Sequence, residues 1–199
     1  MSRGPFSFGT VILGGGAVLL GLFLLVGYLL PHDWQAEASM SMPVTPAAVY
    51  AFLDSPEGWQ SWTPWPESGV ERSGAARGEG ATLSWNDPEF GAGSFAIVRA
   101  TEPLRVEYSV LVQEGTMRTS GSLDLAPDDG GVRVTWREEG DFGWNPLMGY
   151  WVLAMSRAQS EELAKGLDRL RALAQERATA AGPADSLAAV GGGPSEPTP

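Results

Sequence analysis

The 199-residue chain contains no cysteine. That excludes disulfides, thiolate nucleophiles and Cys-based metal sites. Its single histidine, His32, stands beside an N-terminal apolar run. A histidine base or a His-rich metal cage is therefore nearly excluded for whatever folds downstream. Basic residues are scarce, 13 against 24 acidic ones, for a formal net charge of -11. Such a chain has no cationic footprint for a phosphate backbone, which disfavours nucleic acid as a partner. Zinc, calcium and dinucleotide motifs are missing. Gly14-Gly15-Gly16 has no accompanying strand or lysine and is not a phosphate loop. No metal and no cofactor are expected.

Charge is also missing from Val11 to Leu30, VILGGGAVLLGLFLLVGYLL. Twenty residues at about 1.5 Å each span about 30 Å, the thickness of a hydrocarbon core. Its glycines are tolerated in lipid, and Tyr28 and Trp34 suit the far interface. The segment therefore reads as one transmembrane helix over 11–30. The alternative is a cleaved signal peptide, since Ala36-Glu37-Ala38 has the small-x-small shape of a cleavage site. Against cleavage, the apolar run exceeds a usual signal core and that site lies well past its end. Arg3 and the amino terminus flank one side, Asp33 and Glu37 the other. The positive-inside rule then predicts a cytoplasmic N-terminus, residues 1–10, and an extracytoplasmic domain.

What is present in excess is tryptophan, eight residues in all. After the apolar run, residues 35–42 alternate as a first strand. Thr45 can cap a short helix beginning at Pro46, with Val49, Phe52 and Leu53 on its apolar side. Asp54-Ser55-Pro56 stops it, and Trp59, Trp62 and Trp65 crowd the turn region that follows. From Gly69 the period becomes two. Ala81, Leu83 and Trp85 share a face, as do Phe95 and Ile97. So do Val106, Tyr108, Val110 and Val112, then Gly121, Leu123 and Leu125, and finally Val132, Val134 and Trp136. Asp128-Asp129-Gly130-Gly131 is a strong hairpin signal. This predicts an antiparallel meander with one apolar face and one wet face.

The period then returns to 3.6, with Asn145 as cap and Pro146 as first residue of a long helix. Met148, Trp151, Val152, Met155, Leu163, Leu167 and Leu170 trace its apolar side. The helix fades near Thr179, and the Gly, Pro, Ala and Ser-rich residues 179–199 are predicted to be a disordered tail. The folded domain is placed at 35–178. The long amphipathic helix is the only element able to cover the sheet, and a curved sheet around it leaves a cavity.

This order of elements resembles the SRPBCC superfamily, also called START-like or polyketide cyclase/dehydrase-like, with the helix-grip fold. The resemblance covers about residues 36–176. It is carried by the Pro46–Leu53 helix, the Trp59-x-x-Trp62-x-Pro64-Trp65 turn and the Gly80-Ala81-x-x-x-Trp85 strand. The Val132-x-Val134-x-Trp136 strand and Lys165-Gly166-Leu167 complete it. It implies an α+β fold in which a curved antiparallel β-sheet wraps around a long C-terminal α-helix. It also implies a cavity for lipids, polyketide-like compounds or other apolar small molecules, and a membrane helix ahead of the domain occurs in the family. Oxygenase members need a Rieske centre and non-haem iron, a branch this chain's residues exclude.

Expected cavity-lining residues are Trp65, Trp85, Phe95, Tyr108, Trp136, Met148, Trp151 and Met155. Trp59 and Trp62 are read as packing of their own turn; Trp144 completes the aromatic set. Among ionisable residues, Glu107 and Arg118 point to solvent by alternation, Asp54 is a helix stop, and Glu102 and Glu114 sit at turns. Asp141 falls at a strand end near the expected mouth. None is assigned a catalytic role. Three readings follow: a membrane-anchored binding protein for a hydrophobic small molecule or lipid, a cyclase or aromatase-like enzyme, and a structural or interaction domain with a filled core. An enzyme would need an ionisable residue pointing into the cavity. The first strand starts so soon after Leu30 that the domain must sit close to the bilayer. Oligomeric state is left open by the sequence.

Overall fold

The computed structural model describes residues 8–66, 68–89, 91–112, 117–141 and 146–181. The predicted tail beyond residue 181, Glu114, Trp144 and the Asn145 cap lie outside the described residues.

Helix α1, Phe8–Leu29, is apolar along its length, and Ile12–Leu29 is long and apolar enough to be a candidate membrane span. Most of its large side chains are exposed, so the domain does not bury them. After a three-residue link, β1 (Asp33–Met42) begins. Thr45 caps α2 (Pro46–Tyr50): its side chain accepts from the Ala48 N–H, with Pro at the first helical position. The helix ends earlier than its apolar pattern predicts, and turns carry Phe52 and Leu53 inward instead. Ser55 caps a second short helix, α3 (Pro56–Gln60). Trp59 and Trp62 then pack inward, each indole N–H donating to a backbone carbonyl, Leu53 and Phe52 respectively. Both are buried, Trp62 as packing of its own turn.

Six more strands follow: β2 (Val70–Gly74), β3 (Ala81–Asp87), β4 (Gly91–Thr101), β5 (Arg105–Val112), β6 (Met117–Asp128) and β7 (Gly131–Asp141). They form one antiparallel sheet with β1, in the order β1-β7-β6-β5-β4-β3-β2. Alternation holds along most of the sheet and is interrupted in β4, where the register shifts between Ile97 and Arg99. Leu83, Phe95, Ile97, Val106, Tyr108, Leu123, Leu125, Val132, Val134 and Trp136 are all buried on one face. Helix α4, Met148–Ala181, lies across that face. At 1.5 Å per residue its 34 residues run about 50 Å. Leu163, Leu167, Leu170 and Ala174 are its buried stripe, spaced by fours and threes. Along the outer edge of β1, the Ser160 hydroxyl of α4 accepts the Glu37 backbone N–H, satisfying an edge donor.

The register fixes which end of the sheet is which. Asp33 pairs with Asp141, Arg118 with the same Asp141, Met117 with Val112, and Val112 with Gly93. These residues share the end from which α1 departs. Met42, Val132 and Pro127 pair at the opposite end. The architecture is the helix-grip arrangement: a seven-stranded antiparallel sheet gripping one long helix.

Candidate functional site

Between the sheet and α4 lies a hollow of about 320 Å³, open on one side. Strands β3, β4, β5 and β7 contribute Trp85, Phe95, Tyr108, Val110, Val112 and Trp136. The segment after α3 contributes Trp65 between two prolines, and α4 contributes Gln159, Leu163 and Arg169. Of the eight residues expected on the lining, the structure brings five together here: Trp65, Trp85, Phe95, Tyr108 and Trp136. Trp65 stands edge-on to both Trp85 and Phe95, with ring centroids 5.7 and 5.4 Å away. Trp59 contacts Phe95, Tyr108 and Trp136 from beneath, so it is wall as well as packing. Met148, Trp151 and Met155 are not part of this wall. Met148 and Met155 are half-buried, and Trp151 is 64% exposed. For Trp151 the reason is helical geometry. Val152 is in line with Leu163 and Ala174, eleven residues or three turns apart, whereas Trp151 lies about 100° round from that stripe.

The carboxyl group held away from solvent in the hollow is that of Glu138. Strand alternation puts it on the same face as Val132, Val134 and Trp136. One carboxylate oxygen accepts from the Tyr108 hydroxyl, and the other accepts from the Gln159 side-chain amide at 2.7 Å. The Tyr108 oxygen in turn accepts the Trp136 indole N–H at 2.7 Å. The result is a directed chain, indole to phenol to carboxylate. Among the described residues no lysine or arginine pairs with Glu138. Arg169, on the same wall, donates to the Trp62 carbonyl and to Glu162 instead. Burial pushes the Glu138 pKa above the usual carboxylate range, and the two donated hydrogen bonds only partly offset it. Burial, then the neighbouring Glu138 charge, pushes the Tyr108 hydroxyl well above its ordinary value.

Two glycines make room for this group. Gly121 sits in register between Tyr108 and Glu138, and a Cβ there would run into the Tyr108 ring. Gly166 of α4 does the same for the Trp136 ring. A side chain at either position would displace an aromatic ring of the chain.

The other ionisable candidates fall elsewhere. Asp54 is more than a helix stop: it holds Arg77 through two bonds of 2.9 and 2.6 Å, closing the corner between α2 and the β2–β3 turn. Glu107 bonds Arg105 on the outer face, and Arg118 and Asp141 are exposed at the α1 end of the sheet. A larger groove of about 550 Å³ lies on that outer face, among Glu37, Arg105, Glu107 and Arg137. Its charges pair with one another, and it has no aromatic wall comparable to the hollow's. Among the described residues no three His, Cys, Asp or Glu side chains converge to hold a metal ion.

Residues 33–175 match the model of the family described as polyketide cyclase / dehydrase and lipid transport. No curated protein matches the chain. Among solved structures, the di-domain ARO/CYC StfQ from the steffimycin biosynthetic pathway is 14% identical, with a TM-score of 0.56. The match covers 74% of this chain and 52% of StfQ. Norcoclaurine synthase from Thalictrum flavum is 11% identical over 73% of this chain and 96% of its own, with a TM-score of 0.56. A protein from Thermus thermophilus is 18% identical over 72% of this chain and 98% of its own, with a TM-score of 0.55. At these identities the likeness is one of fold.

Proposed function

Because the chain belongs to the polyketide cyclase / dehydrase and lipid transport family, we propose that it is a membrane-anchored binding protein for a hydrophobic small molecule or lipid. The ligand occupies the hollow between sheet and α4, against Trp65, Trp85, Phe95, Tyr108 and Trp136. One observation carries the reading: an aromatic-walled space of about 320 Å³ whose polar groups are concentrated around Glu138, Gln159 and the Glu162–Arg169 pair. Such a site suits an apolar body bearing one hydrogen-bonding group. Helix α1 serves as the anchor and keeps the domain beside the bilayer, outside the cytoplasm by the charge asymmetry of its flanks.

The test uses the full chain purified from membranes, with bound compounds extracted and weighed by mass spectrometry. Val110→Trp, which fills the hollow, serves as comparison. The wild type should carry a compound at near one per chain, and the variant several-fold less. Equal amounts in both, in the proportions of bulk lipid, would remove the reading.

Glu138 favours a second reading, an enzyme of the cyclase kind. A carboxyl group whose pKa burial raises is better placed to give a proton to a ligand carbonyl and take one back. Under that reading Glu138→Gln still binds but accumulates an unconverted compound. If wild type and variant carry the same chemical species, the enzyme reading is dropped and the binding reading stands.

A further inference from the structure

The start of α4 does not stand clear of α1. The Tyr150 ring stacks on Phe23, centroids 4.6 Å apart and planes 3° from parallel. Its hydroxyl donates to the Phe23 carbonyl at 2.7 Å. Gly27 of α1 and Gly149 of α4 meet backbone to backbone, and a Cβ on either would collide with the other segment. Phe23 lies six residues before the end of α1 at Leu29, which is about 9 Å along the helix axis. The first turn of α4 therefore runs beside the last two turns of the candidate span, not above it. On the same stretch Leu147 is 50% and Trp151 64% exposed, and on α1 Phe23 and Leu24 are exposed as well.

We infer that the first turns of α4, with Leu147 and Trp151, are immersed in the lipid interface and seat the domain on the bilayer. This rests on α1 being a membrane anchor. If α1 spans, the depth of Phe23 carries Tyr150 and its neighbours into the acyl boundary, where an amphipathic indole such as Trp151 is favoured. Trp151 thus has a partner in lipid and not in the hollow. The seat is apolar, because a chain of net charge -11 gains nothing from anionic headgroups. The orientation has a consequence for the ligand. Val112 and Trp85, paired through Gly93, lie on the hollow's wall at the end of the sheet from which α1 departs. That end of the hollow faces the membrane, so a membrane-dissolved compound reaches it without crossing bulk water.

The cysteine-free chain makes this measurable with single introduced thiols. Trp151→Cys, Leu20→Cys in mid-span and Glu71→Cys on exposed β2 are each spin-labelled in the full chain. The chains are placed in phosphatidylcholine vesicles, and collision with oxygen and with an aqueous nickel chelate is compared. The label at 151 should favour oxygen over chelate several-fold more than the label at 71, in low and high salt alike. If 151 is as chelate-accessible as 71 while 20 is immersed, the seat is wrong and the anchor stands. If 151 is shielded from both reagents, protein covers it and the seat is again wrong. If 20 itself is aqueous, anchor and seat fall together. Leu147→Cys repeats the measurement on the same turn should Trp151→Cys perturb the fold.

Discussion

The two ends of the sheet–helix sandwich are built differently. Away from α1, Val49, Leu53, Met42, Val132, Leu167, Leu170 and Ala174 are fully or almost fully buried in one packed cluster. Toward α1, Val110 and Val112 are only half-buried, although they continue the same alternating face as Val106 and Tyr108. The strand pattern does not change between the two ends; what changes is whether α4 supplies a filling side chain. At the closed end it presents leucines. At the open end it presents Gln159 and Leu163 and leaves space. The domain is therefore closely packed at one end and open at the other, forgoing there the packing that close interiors supply.

The largest effect should come from the closed end. Leu170→Ala removes a fully buried side chain. It should cost about 2–5 kcal/mol in urea unfolding of the detergent-solubilised chain, since the packed surroundings cannot collapse into the gap. Val112→Ala, on the wall of the hollow, should cost less than about 1 kcal/mol, because its side chain already borders empty space. Equal costs at the two positions would erase the distinction between a closed and an open end.

The inner faces of sheet and helix could be read in the sequence; the difference between the two ends could not, and the reasons are physically specific. Alternation in five strands and the 3.6-residue stripe of α4 name the inner faces, and five of the eight expected lining residues meet at one hollow. Glu138 also obeys the alternation that places Trp136 inside. It was hidden by its neighbours: Glu138-Glu139-Gly140 looks like a solvated charge run, although parity alone puts the first member inward. Trp151 errs in the opposite direction. Its spacing from Met148, Val152 and Met155 marks it as inward, but it lies about 100° round from the buried stripe that Val152 shares with Leu163 and Ala174 and is left exposed. The Arg77 bond to Asp54 spans 23 positions and has no local signal at all.

Glu138 allows the open end to be probed by pH. Its folded-state pKa is raised, so its neutral form is the one the fold prefers. The stability tied to that form is fully present below the unfolded value, about 4.3, and is lost as pH rises through the folded value. Glu138→Gln cannot ionise and can keep a hydrogen bond from Tyr108. Its melting temperature relative to wild type should therefore climb as pH is raised from about 4 to about 8. A difference that stays flat across that range would mean Glu138 is solvated and the open end is simply wet surface. Among the described residues the closed end offers no buried carboxyl group, and Leu170→Ala should show no comparable pH trend.

The smallest effect belongs to neither end but to the outer face. Arg137 bonds Glu37 at 2.7 Å and Asp124 at 3.0 Å, tying β1, β7 and β6 across their polar side. The Arg137 side chain is 52% exposed, and Glu37 and Asp124 are 55% and 30% exposed, so water screens most of the attraction. Exposed pairs of this kind contribute about 0–1 kcal/mol, and holding long side chains in one geometry costs entropy. Arg137→Ala should thus shift the unfolding midpoint slightly and the retained compound not at all, whichever ligand occupies the inner face. A loss of bound compound in Arg137→Ala at unchanged stability would move the binding site to the outer groove, because the two faces share only the thickness of one sheet and that variant alters only the outer one.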